Sequence, residues 1–138
     1  MNVFLDANIL VSVLNKEYPL FTYSSRILSL TNGDRFQMYT SPVCLAIAFY
    51  FAEKKSGTSV AKRKIKILVD HIHVAPTDKE IVMNTIEDKK VNDFEDGLEY
   101  YSAVQSKCKC IITENREDFH FSRMEVLSSL NFLEKYVI

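Results

Sequence analysis

Short unbroken apolar runs alternate with longer amphipathic stretches along this chain, the rhythm of strands covered on both faces and joined by helices. Residues 2–5 form the first such run, and Asp6 stands at its C-terminal end. Asn8 is placed to cap a following helix whose apolar positions are Ile9, Leu10, Val13 and Leu14. Pro19 closes that connection, and Phe21, Ile27, Leu28 and Leu30 mark a second helix that stops at Asn32-Gly33. Gln37 to Thr40 reads as a strand. Ser41-Pro42 then supplies an N-cap and a proline in the first turn of a helix running through Phe51. The uniform apolarity of that helix predicts burial between other elements, and Gly57 ends it. From Val60 to Ile72, apolar residues at helical spacing oppose a face of lysines and arginine.

His73-Val74-Ala75 predicts a brief third strand, and Thr77 with Glu80 has the spacing of a capping box for a helix to about Lys89. A further helix is expected from Phe94 to about Lys107, strands at Lys109–Thr113 and Glu125–Leu127, and a last helix from about Ser129 to Lys135. This order calls for an α/β fold: a three-layer α/β/α sandwich around a parallel sheet of about five short strands. With 138 residues, the stretch 1–138 fits one domain.

Charge changes this picture locally. The net charge of -1 conceals a basic stretch, Glu53 to Lys66, with a local sum of +5, and an acidic one, Thr77 to Glu99, with a local sum of -5. Two solvated helix faces would account for this split, whereas a basic helix beside an acidic pocket would suit an anionic polymer. Lys54, Lys55, Lys62, Arg63, Lys64 and Lys66 are therefore candidates for contacts to the phosphates of such a polymer. Cys44, Cys108 and Cys110 are odd in number and form no CxxC pair, so they read as thiols of a reducing compartment. No apolar run reaches the roughly 18 residues of a membrane span, and a cytoplasmic protein is expected. Patterns for hydrolase elbows, dinucleotide sites and P-loops do not occur.

In an open parallel sheet, ligands bind at the carboxyl ends of the strands, where Asp6, Ser41, Thr113 and Asn115 are expected. Asp93 and Asp96 open the helix before the fourth strand and can reach the same edge. Carboxylates gathered there suit Mg²⁺, which needs one or two direct carboxylates and keeps several waters. Asp6 and Asp96 are the expected ligands, with Asp93, Asn115 and Asp118 able to complete a site for phosphodiester hydrolysis. Helix capping alone would also explain each aspartate taken singly.

Four segments in order, Leu5-Asp6-Ala7-Asn8-Ile9-Leu10, Thr40-Ser41-Pro42, Asp93-Phe94-Glu95-Asp96-Gly97-Leu98 and Ile111 to Phe119, resemble the successive motifs of PIN-domain proteins. That family includes the VapC-type ribonuclease toxins. The resemblance implies a single PIN-like domain, an acidic pocket for Mg²⁺ or Mn²⁺, and cleavage of RNA. It also implies an antitoxin protein as partner and a homodimer. Matched by position, Asp6 and Asp96 are the metal-site aspartates, Asn115 with Asp118 falls at the last acidic or amide position, and Ser41 and Thr113 match hydroxyl residues that orient the aspartates. One position departs from the pattern: the helix after Ser41 usually carries a glutamate that points into the pocket, and here Ile47 stands there. Its loss makes a degenerate, non-catalytic module that binds RNA or a protein the alternative to a metal-dependent ribonuclease.

Overall fold

A computed structural model describes residues Met1–Ile138. Strands β1 (Asn2–Leu5), β2 (Gln37–Thr40), β3 (His73–Val74), β4 (Cys110–Ile112) and β5 (Glu125–Leu127) form one parallel sheet in the order β3-β2-β1-β4-β5. Seven helices flank it: α1 (Ala7–Leu14), α2 (Leu20–Ser29), α3 (Pro42–Ser56), α4 (Thr58–Val69), α5 (Lys79–Glu87), α6 (Phe94–Gln105) and α7 (Ser129–Tyr136). The expected α/β/α sandwich is thus the observed architecture.

The most apolar strands lie in the middle. Val3, Phe4 and Leu5 of β1 and Cys110, Ile111 and Ile112 of β4 are fully buried, because each is covered by helices and flanked by strands on both edges. Removing side chains of this size from water contributes about 1.5–3 kcal/mol apiece. At the sheet edge, His73 and Val74 of β3 are exposed, and His73 stacks on Tyr39 with ring centroids 4.8 Å apart. Phe36 and Phe132 meet edge to face at 5.4 Å beneath α7.

Strand β1 ends where the chain turns into α1. The Asp6 amide still donates to the Ile112 carbonyl (3.1 Å), while its side chain already caps α1 by accepting from the Ala7 amide (2.6 Å). Asp6, and not Asn8, is therefore the cap of α1. Likewise Asp78 rather than Thr77 caps α5, accepting from the Ile81 amide, while the Thr77 hydroxyl pairs with Ser102.

The expected burial of α3 holds for only one of its faces. Cys44, Ala48 and Ala52, four residues apart, are buried against α1 and α4, whereas Tyr50 and Phe51 are exposed. Gly57 at φ 84° separates α3 from α4, a backbone conformation that side chains with a Cβ rarely adopt.

The basic stretch is partly a scaffold. Lys64 Nζ donates to the Leu14 carbonyl (2.8 Å) and Lys55 Nζ to that of Asn15, so both satisfy the C-terminal end of α1 with favourable charge. Lys66 pairs with Asp70 one turn on. Lys54, Lys62 and Arg63 are exposed and make no side-chain hydrogen bond.

Candidate metal centre

Three chain crossings meet where β1 and β4 end and α6 begins. The parallel register sets Leu5 beside Ile112, so Asp6 and Thr113 emerge side by side. Thr113 is fully buried, and its hydroxyl donates to Asp6 Oδ2 (2.8 Å). The Asn8 side-chain amide lies within hydrogen-bond distance of the same Oδ2 (3.3 Å) and of Thr113 Oγ1 (3.1 Å). The Asn115 amide also donates to Thr113 Oγ1 (3.0 Å), and the Glu114 amide to Asn8 Oδ1. Asp6 is held by neutral donors on both oxygens and touches no lysine or arginine.

Opposite stands the first turn of α6. Asp93 caps that helix by accepting from the amides of Glu95 and Asp96. Asp96, half-buried, and Glu99, buried, lie three residues apart on one helix face and turn toward Asp6. A cleft of about 370 Å³ results, lined by Asp6, Asp96, Glu99, Asn115 and Asp118, with Ile47 of α3 on its wall. No lysine or arginine lines it. Asp93 faces an adjoining recess that it shares with Asp96 and Asp118.

Among the residues expected from the sequence, Asp6, Asn8, Asp96, Asn115 and Asp118 thus share one cleft, Thr113 braces it from below, and Asp93 lies at its margin. Ser41 is one step removed. Its hydroxyl accepts from the Cys44 amide (3.3 Å), capping α3, and makes no hydrogen bond to an aspartate.

Glu99 and Cys44 are the residues that sequence reasoning missed. The Cys44 thiol donates to Glu99 Oε1 (2.9 Å), and the ligand atoms of Asp6, Cys44 and Glu99 lie within 4.8 Å of one another. The spacing of Glu99 from Asp96 was the available signal, since i and i+3 share a helix face.

Crowding of carboxylates marks the electrostatics. Burial, reinforced by the hydrogen-bonding contact and charge of Asp6, pushes the Glu99 carboxyl up to about 11. Asp96 rises to about 7, chiefly by burial and then by Asp93, Asp118 and Asp6. Asp118 is raised in the same direction, and burial lifts the Cys44 thiol well above its ordinary range. Buried carboxylates facing one another without a cationic side chain need protons or a cation between them. Their oxygen-rich donor set fits a hard divalent ion.

A family model described as PIN domain matches residues 2–117. Ribonuclease VapC1 of Aquifex aeolicus (strain VF5) is 28% identical over 138 residues, covering 97% of this chain and 94% of that protein. Among solved structures, VapBC-1 from nontypeable Haemophilus influenzae superposes with a TM-score of 0.72 at 15% identity, over 94% of this chain and 99% of the other. VapBC2 from Rickettsia felis, bound to a DNA fragment from the promoter, gives a TM-score of 0.71 at 18% identity, over 93% and 98%.

Proposed function

This chain belongs to the PIN-domain family, and from that premise we propose that it is an endoribonuclease dependent on Mg²⁺ or Mn²⁺, the toxin of a toxin–antitoxin pair. The observation that carries this reading is the convergence of Asp6, Asp96, Asn115 and Asp118 on one cleft without a positive side chain. Its relative of similar length is named a ribonuclease, and the Haemophilus neighbour is a VapBC assembly. RNA and an antitoxin protein are the corresponding partners. No helix is long and apolar enough to cross a membrane.

Asp6 and Asp96 would hold the divalent ion. When bound, the ion supplies Lewis acidity toward water and toward the charge that grows on the phosphodiester oxygens. The chain's own residues do the rest. Thr113 and Asn8 fix Asp6 Oδ2, so the carboxylate needs no reorientation when charge develops nearby. Asp93, Asn115 and Asp118 border the opening, where they would order water between the ion and the incoming strand. Lys54, Lys62 and Arg63 are free to meet RNA phosphates, with Lys55 and Lys66 adding positive charge from positions already tied down.

Purified protein with Mn²⁺ is expected to cut RNA, and Asp6→Asn or Asp96→Asn to abolish the cleavage. Uncut RNA with the wild type, or equal cutting by both variants, overturns the catalytic reading. One observation favours a second reading: the apolar Ile47 lines the cleft at a position where a ligand would be useful. RNA binding that survives chelator and Asp6→Asn, with no cleavage, would identify a binding module instead.

A further inference from the structure

We propose that Glu99 is a ligand of the divalent ion, reaching from α6 to the space beside Asp6 and supplying a carboxylate that α3 does not. This rests on the metal-site reading above and adds a residue to it. Glu99 is 2% exposed, yet it lines the cleft. Its ligand oxygen and that of Asp6 lie within 4.8 Å of each other, a separation that two oxygens bound to one ion at about 2.1 Å each would close with a small shift.

Burial of this carboxylate against that of Asp6 calls for a proton or a cation between the two. The Cys44 thiol donates to Oε1 and the Asp6 carboxylate lies in hydrogen-bonding contact, while no lysine, arginine or histidine lines the cleft. A buried acid with so little support is costly in a fold that could place a leucine there. Ile47, on the facing helix, offers the cleft no donor atom. Asp96 and Glu99, one turn apart, let a single helix deliver two carboxylates toward Asp6. Cys44 is then a positioning residue, because its buried thiol donates to Glu99 Oε1 from α3.

Mn²⁺ binding to the full chain, followed by isothermal titration calorimetry without RNA, tests the assignment. Glu99→Gln, nearly isosteric, is expected to weaken binding by at least about 10-fold while the circular dichroism spectrum stays unchanged. Glu99→Asp keeps an acid but withdraws it by one methylene, and is expected to weaken binding as well. Asp6→Asn serves as the reference for loss of the site. If Asp6→Asn loses Mn²⁺ while both Glu99 variants bind like the wild type, Glu99 is no ligand and the metal-site reading stands alone. If the wild type binds no Mn²⁺, both fail. Should Glu99→Gln not fold, the Glu99→Asp titration decides by itself.

Discussion

Asp6 divides its two oxygens between two tasks: Oδ1 closes the first turn of α1, and Oδ2 accepts from Thr113 at the edge of the cleft. Capping and chemistry are compatible here because a helix N-terminus tolerates, and favours, negative charge. Asparagine caps as well as aspartate, so Asp6→Asn is expected to fold with a melting temperature equal to or above that of the wild type. Its Mn²⁺-dependent cleavage should nevertheless fall more than about 100-fold, beyond the usual loss for an outer partner. Thr113→Val tests such an outer partner. It removes the donor to Asp6 and leaves a buried carboxylate oxygen less satisfied, so cleavage should drop about 10–100-fold with the fold retained. The position of Asp6 at the end of the central strand was legible from an apolar run ending in an acid. That of Glu99 was not, since one more acid in an acidic helix carries no mark of burial, and only the packing of α6 against α3 shows that it faces inward.

Helix α6 is the element on which the site depends, and Gly97 sets how closely it approaches α5. A Cβ at Gly97 would stand 2.5 Å from Thr85 Cγ2 and 2.7 Å from Val91 Cγ1, so something must shift. Gly97→Ala is expected to cost about 1–3 kcal/mol in urea unfolding. Because Asp96 and Glu99 flank this position, cleavage should fall too. A different element pair governs acid behaviour. Glu125 of β5 accepts from Lys135 and from the Tyr136 hydroxyl (2.6 Å) of α7, and these bonds hold its carboxyl below the ordinary glutamate range. A depressed acid stabilises the fold above its unfolded value and ceases to as pH falls through the folded one. The stability difference between wild type and Glu125→Gln should therefore be present at pH 7 and be lost as pH falls below the ordinary glutamate range, as read by denaturant midpoints. Helix boundaries at this scale followed from capping residues, but the buried face of α3 did not. Its apolar residues surround the helix, and only its neighbours select Cys44, Ala48 and Ala52 for the interior.

Across the whole molecule, the cleft joins the end of the central strand to α1, α3 and α6, so an ion held there ties distant parts of the chain together. An ion bound only by the folded state stabilises it by about 2.7 kcal/mol at a hundredfold excess over its dissociation constant. Saturating Mn²⁺ should raise the melting temperature by several degrees, a chelator should reverse the rise, and Asp6→Asn should abolish it.

Apolar runs, capping residues and the order of the acidic motifs determined the α/β architecture, the parallel sheet and the location of Asp6 and Asp96, because these are local patterns with local physical causes. The tertiary structure decided the rest. It decided that Lys55 and Lys64 serve the end of α1, that Ser41 caps α3 without a hydrogen bond to an aspartate, and that Glu99 stands beside Asp6. Each depends on which residues far apart in the chain come within a few ångströms, and no pattern in a single segment carries that distance.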